Sequence, residues 1–84
     1  MNRGKLLVRL AGGAVQNVAF VDMTNLVRGF GFTLARMNGS HYIFSRDDIP
    51  ELINIQNVGG QAKPYQIRQF LRLIEKYNLK LEEK

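Results

Sequence analysis

The only histidine of the chain, His41, lies in the run NGSHYIF at residues 38–44. An imidazole exchanges a proton near neutral pH, since the unperturbed pKa of histidine is about 6.5. Asn38 and Gly39 both tolerate positive φ, which predicts a two-residue hairpin turn. In that register Arg36 lies directly across the ladder from His41, on the same face of a sheet. The sequence thus predicts a proton-transfer group beside a cation that can bind phosphate oxygens.

Such a pair suits RNA cleavage, because RNA supplies its own nucleophile, the 2′-hydroxyl. A protein needs only to remove that proton, neutralise the charge that develops on the phosphorane and help the 5′-oxygen leave. His41 is the candidate general base or acid, and Arg36 is the candidate phosphate ligand. With one histidine, the second proton transfer has several candidate owners: Tyr42, Tyr65, Lys63 or water.

Further cations lie at the start and along one side of the predicted final helix. Lys63 precedes its first turn, where free backbone N–H groups favour an anion, although it could equally be a lysine that merely flanks Pro64. Arg68, Arg72 and Lys76 recur every fourth residue. They are either a stripe that follows RNA phosphates or the solvated side of the helix. Lys63, Arg68 and Arg72 are therefore candidate phosphate-binding residues.

The composition limits the classes of function. The 84 residues predict a single domain, residues 1–84, and a chain this short buries only about 60–65% of its unfolded surface. Without cysteine and with one histidine, neither a thiolate site nor a histidine zinc site has enough ligands, so we expect no metal or cofactor. Twelve Lys+Arg against seven Asp+Glu favour a polyanionic partner, nucleic acid first and an acidic protein second. No apolar run approaches the roughly 20 residues that span a bilayer, which predicts a soluble, cytoplasmic protein without membrane contact.

Hydrophobic spacing predicts three helices. A short first helix around residues 6–10 ends at Gly12, because paired glycines lose much entropy in a helix. Asp22 can cap a second helix, whose apolar face has the spacing i, i+3, i+4, i+7: Met23, Leu26, Val27 and Phe30. Pro64 suits the first turn of a final helix that runs to Tyr77 with the same spacing.

Residues 32–37, 40–45 and 52–57 have the β-compatible composition of three short strands. The polar connection at residues 46–50 predicts a loop whose aspartates are solvated turn residues rather than metal ligands. The expected architecture is α+β, with helices on one face of a three-stranded antiparallel sheet and the other face free for a ligand.

Two runs carry a resemblance to a known family: LVRGFGF at residues 26–32 and, after Arg36, GSHYIF at residues 39–44. Their types and order resemble the signature of HicA-family toxins, the ribonuclease half of HicA/HicB toxin–antitoxin pairs. Residues 53–56 and 62–69 resemble a longer branch of that family. The resemblance covers residues 20–78, leaving an N-terminal extension at residues 1–19 and a tail at residues 79–84 that looks frayed.

The resemblance implies a fold similar to a double-stranded RNA-binding domain, α-β-β-β-α, here with an extra N-terminal helix. It also implies metal-independent cleavage of mRNA that blocks translation, and a HicB antitoxin that covers the active site. The catalytic role carries over to His41, with Gly39 and Ser40 forming the turn that presents it. The extension could serve dimerisation, antitoxin contact or core cover. The alternative function is a non-catalytic module of the same fold that binds RNA or a protein.

Overall fold

Helices and strands follow the predicted order in the computed structural model, which describes residues 1–82. The described part of the chain contains three helices and four strands: α1 (Arg3–Ala11), α2 (Phe20–Gly29), β1 (Thr33–Asn38), β2 (His41–Arg46), β3 (Ile49–Val58), β4 (Gln61–Ala62) and α3 (Pro64–Lys76). The α+β class is therefore confirmed. No helix in this part of the chain is long and apolar enough to cross a membrane.

The strands form one antiparallel sheet in the order β1-β2-β3-β4. The prediction of three strands is therefore wrong, because it omitted β4. Strand β4 has only two residues, too few for a hydrophobic pattern. It forms because Gly59 and Gly60 adopt positive φ of 58° and 84° and turn the chain back, which pairs Asn57 with Ala62. The loop predicted at residues 46–50 shortens to a turn at residues 47–48, and β3 begins at Ile49.

The hydrophobic core lies between the helices and one face of the sheet. We call this face the inner face; it carries the buried side chains of Phe44, Ile53 and Ile55. Helix α3 packs against it through Phe70, whose ring centroid is 5.5 Å from that of Phe30. The opposite, outer face carries the alternate side chains, all exposed or half-buried: Arg36, Asn38, His41, Ile43, Leu52, Asn54 and Gln56.

Residues 1–19 are part of this core rather than an appendage. Leu6 and Leu10 of α1 are each 1% exposed, as is Val18 of the connector. The connector also meets β4, because the Ala62 N–H donates to the Val18 carbonyl at 2.9 Å and the Phe20 N–H donates to the Gly60 carbonyl at 2.8 Å. Of the three roles considered for the extension, the structure shows core cover.

Two predicted boundaries differ from the structure. Helix α2 begins at Phe20 with Ala19 as its N-cap, so Asp22 lies in the first turn instead of capping it. The tail predicted to fray is packed over residues 79–82: Leu81 contacts the core, and the Glu82 N–H donates to the Gly29 carbonyl at 2.7 Å. Residues 83 and 84, which complete the predicted tail, lie outside the described residues.

Glu51 joins the start of β3 to the end of α3. Its carboxylate accepts a hydrogen bond from the Lys76 ammonium at 2.8 Å and one from the Tyr77 hydroxyl at 2.5 Å. These two bonds, that from Lys76 first, lower the pKa of the Glu51 carboxyl. The same contact with Glu51 raises the pKa of Lys76 and of Tyr77.

We expect Glu51→Gln to destabilise the protein near neutral pH and to have little effect in acid. A carboxyl with a lowered folded-state pKa stabilises the fold above its unfolded-state pKa, and that contribution disappears as the pH falls through the folded-state value. Urea unfolding midpoints of both proteins at about pH 7 and about pH 2 measure the difference. Glu75→Gln, an exposed position on the same helix, is the control. An equal wild-type advantage at both pH values would contradict this linkage.

Candidate functional site

The β1–β2 hairpin presents His41 through a turn that differs from the predicted one. The two turn residues are Gly39 and Ser40, and Asn38 pairs with His41. Only Gly39 has positive φ in this turn, 60°, as in a type II′ turn with glycine at its first central position. The predicted Asn38-Gly39 turn is therefore wrong by one residue.

This register separates Arg36 from His41. Arg36 pairs with Ile43, and the ladder shifts between Leu34 and Arg36. Because side chains alternate along a strand, Arg36 still lies on the outer face with His41, but two residues further along. The predicted cross-strand pair is wrong, while the shared face is retained.

The imidazole of His41 is held by a side chain of β3. His41 pairs with Gln56 and Ile43 pairs with Asn54, so these residues share the outer face. The Nδ1 atom of His41 lies 3.2 Å from Oδ1 of Asn54. An amide oxygen only accepts hydrogen bonds, so the tautomer with its proton on Nδ1 donates to Asn54 and has Nε2 available to accept a proton from a substrate. Half-burial leaves the ring accessible from the outer face.

A chain of hydrogen bonds joins the hairpin turn to the start of α3. Nε2 of Gln56 donates to the Ser40 hydroxyl at 3.3 Å, and the Gln56 N–H donates to Oε1 of Gln66 at 2.7 Å. Nε2 of Gln66 in turn donates to the Tyr65 hydroxyl at 3.3 Å. Gln66 is only 2% exposed, so it fixes α3 against the strand that carries Asn54.

The same contacts sort the candidates for the second proton transfer. Tyr42 lies on the inner face, where its ring packs edge-on against Phe20 at a centroid distance of 4.7 Å, so it faces away from His41. Tyr65 is joined to the turn through Gln66. The ammonium of Lys63 lies 5.7 Å from the centre of the Tyr65 ring. Tyr65 therefore connects through Gln66 to Gln56, the residue that pairs with His41, and Lys63 lies beside the Tyr65 ring.

The remaining candidate cations lie on the exposed side of α3. Arg72 lines a groove between α3 and β3, whereas Arg68 does not. The groove has a volume of about 290 Å³, and ten residues line it: Glu51, Leu52, Ile53, Asn54, Gln66, Gln69, Phe70, Arg72, Leu73 and Lys76. We call it the amide groove after Asn54, Gln66 and Gln69. It reaches the histidine through Asn54, which both lines the groove and bonds to His41.

No protein-family model, no curated protein and no solved structure matches the chain. The site itself consists of one imidazole with neutral amide side chains beside it, and Arg72 lies in the lining of the adjoining groove. The neutral amide of Asn54 orients the imidazole and places no charge beside it.

The two aspartates of the β2–β3 turn are remote from this imidazole. Asp47 and Asp48 form the turn at the opposite end of β2, about 20 Å from His41 at the rise of a strand. The Arg46 Nε–H donates to Asp48 at 2.8 Å, so the loop is partly neutralised. Within residues 1–82, no group of three histidine, cysteine, aspartate or glutamate side chains lies close enough to hold a metal ion.

Sequence reasoning gave no site role to the amide side chains of Asn54, Gln56, Gln66 and Gln69. One signal for the first two was present, because the run INIQ at residues 53–56 alternates apolar and polar residues. Such alternation predicts a strand with Asn54 and Gln56 on one face. Their distance from His41 depends on the β2–β3 register, which that pattern leaves open.

Proposed function

We propose that this chain is a HicA-type toxin, a metal-independent endoribonuclease that cleaves mRNA and so blocks translation. The main support is the 3.2 Å contact between Nδ1 of His41 and Oδ1 of Asn54, which holds the imidazole on the outer face of the sheet and does not involve Nε2. The order of the GSHYIF run after Arg36 and the LVRGFGF run is the second support.

In the proposed reaction Nε2 of His41 accepts the proton of a ribose 2′-hydroxyl. The 2′-oxygen attacks the adjacent phosphorus, a P–O bond forms, and the bond from phosphorus to the 5′-oxygen breaks. The products are a 2′,3′-cyclic phosphate and a 5′-hydroxyl, whose proton comes from Tyr65, Lys63 or water. Arg36, on the same face as His41, stabilises the charge on the phosphorane oxygens.

The family proposal also concerns fold and partners. The order α2, β1, β2, β3, α3 is the α-β-β-β-α order of a double-stranded RNA-binding domain, with α1 and β4 as additions. We extend the proposal to a HicB antitoxin that covers the outer face, to mRNA as the substrate and to the cytoplasm as the location. The proposal for the free toxin includes a homodimer.

The test is cleavage of end-labelled single-stranded RNA in the presence of a chelator. We expect products that end in a 2′,3′-cyclic phosphate, and no cleavage of the same RNA carrying 2′-O-methyl groups, because the nucleophile is then blocked. Cleavage of the methylated RNA, or cleavage that requires an added divalent ion, would contradict the proposal.

A second candidate function is RNA binding without cleavage. The formal net charge of +5 and the exposed Arg68 and Arg72 favour it, since phosphate contacts alone give affinity. Affinity would then fall steeply with salt and would not change in His41→Ala, because the number of released counterions depends on the lysines and arginines. Intact RNA after prolonged incubation with wild-type protein would favour this function.

We expect Asn54→Asp to move the acid limb of the cleavage profile to higher pH, by about one pH unit or more. A carboxylate in place of the amide favours the imidazolium, so a higher pH is needed to obtain the neutral ring that accepts a proton. The pH dependence of kcat/KM measures this shift. Asn25→Asp, which adds the same charge at an exposed position of α2, should leave the profile unchanged. Coincident profiles for wild type and Asn54→Asp would show that Asn54 does not position the imidazole of His41.

A further inference from the structure

Contacts between β3 and α3 close both ends of the amide groove. At one end the Gln56 N–H donates to Gln66 at 2.7 Å. At the other end the Lys76 ammonium donates to Glu51 at 2.8 Å. Between these contacts, the edge of β3 at residues 52–54 faces the groove. The groove is therefore a short pocket rather than a continuous channel.

Backbone groups of β3 also point into this pocket. The N–H and C=O of one residue in an antiparallel strand point to the same side, and this side alternates along the strand. Since the Gln56 N–H faces α3, the backbone groups of Leu52 and Asn54 face α3 as well. Two such residues are too few for an added strand, which typically has about 5–6 residues. A compact, flat ligand fits this edge better than an extended peptide.

The walls of the pocket suit a nucleobase. The exposed side chain of Leu52 supplies apolar surface, while Gln69 supplies an exposed amide that can both donate and accept. The only acidic side chain in the lining, Glu51, is paired with Lys76, and Arg72 forms no ion pair among residues 1–82. The pocket thus combines apolar walls, hydrogen-bonding groups and a positive charge at its rim.

We propose that the amide groove binds one unpaired nucleobase of the RNA substrate, that of a nucleotide next to the cleaved phosphate. This inference rests on the proposed ribonuclease function. It specifies that the substrate of the ribonuclease is single-stranded RNA and that the enzyme prefers a particular base at one position. Gln69 and the backbone of Leu52 and Asn54 bond to the edge of the base, and Arg72 holds the adjoining phosphate. Asn54 links the pocket to His41, which sets the bound base beside the reacting ribose. A volume of about 290 Å³ is near the lower end of small-molecule pockets, about 300 Å³.

The first test is independent of cleavage. The ¹⁵N-labelled wild-type protein is titrated with each of the four ribonucleoside 5′-monophosphates and, separately, with an acidic extended peptide. We expect at least one nucleotide to shift the side-chain amide signals of Asn54, Gln66 and Gln69, with inorganic phosphate producing no such shift. Shifts of these signals with the peptide and not with any nucleotide would overturn the proposal in favour of a protein partner. The proposal would also be overturned if the nucleotides changed only the chemical shifts of lysines and arginines outside the amide groove.

The second test uses cleavage of a randomised single-stranded RNA. We expect Gln69→Leu, which keeps the size of the side chain and removes its hydrogen bonds, to reduce the base preference at one position about fivefold to tenfold. Gln61→Leu, at an exposed glutamine of β4, should keep the wild-type preference. Active Gln69→Leu with an unchanged preference overturns the base pocket and leaves the ribonuclease intact. If the wild type cuts no RNA, the proposed ribonuclease function is contradicted instead. The nucleotide titration then shows whether the amide groove binds a nucleobase.

Discussion

We expect His41→Ala to slow RNA cleavage by about a hundredfold to ten-thousandfold while leaving the fold and the RNA affinity intact. The substitution removes the group that accepts the 2′-hydroxyl proton. The ring contributes little to the core, since it is half-buried on the outer face and its side-chain hydrogen bond is to Asn54. RNA affinity depends mainly on lysines and arginines, whose number does not change.

Single-turnover cleavage and filter binding on the same RNA separate the two effects. Ser45→Ala is the matched control, because Ser45 lies on the same strand and the same face as His41 and has no assigned role. Wild-type cleavage rates in His41→Ala would remove this histidine from the mechanism. If all three proteins bind RNA and none cuts it, the chain is a binding module.

Phe70→Ala should destabilise the protein by about 3–5 kcal/mol, the usual cost of removing a buried aromatic side chain. Phe70 is 0% exposed and packs edge-on against two rings, with centroids 5.5 Å away for Phe30 and 6.1 Å away for Phe32. At about 0.05–0.15 kcal/mol per residue, a chain of 84 residues has a total stability of about 4–13 kcal/mol. The substitution therefore removes a large share of the stability or all of it.

Thermal and urea unfolding of Phe70→Ala and wild type measure this effect. Val8→Ala is the control, because Val8 is 74% exposed on α1 and should change the stability by less than about 0.5 kcal/mol. A loss below about 1 kcal/mol in Phe70→Ala would show that α3 is not held by this aromatic contact.

The helices were predictable because their apolar spacing is long and regular. Helix α3 has 13 residues, and its apolar side chains recur on one face. Ile67 and Phe70, which are three positions apart on that face, are both fully buried. The start of α2 was less predictable, because Asp22 is a good cap by type and yet lies inside the first turn. A favourable N-cap residue stabilises a helix by about 1 kcal/mol, whereas the burial of an aromatic side chain such as Phe20 contributes more. The helix therefore begins where Phe20 is buried.

The strand register of the candidate site was not predictable from the sequence. Asn38-Gly39 and Gly39-Ser40 are both good hairpin turns, so the local sequence does not choose between them. The observed pairing, with Phe44 opposite Ile53 on the inner face, buries both side chains. The role of Gln66 could not be predicted, because it depends on where α3 crosses the edge of β3.

The bridge between Ala19 and Gln61 has a consequence for shortened forms of the protein. The connector accepts and donates hydrogen bonds along β4, so it covers an edge of the sheet that would otherwise present unpaired backbone groups. A chain trimmed to residues 20–84 would expose this edge together with the apolar surface that Leu6 and Leu10 cover. Such a fragment should aggregate through edge-to-edge pairing, even though it retains the imidazole and every candidate phosphate ligand.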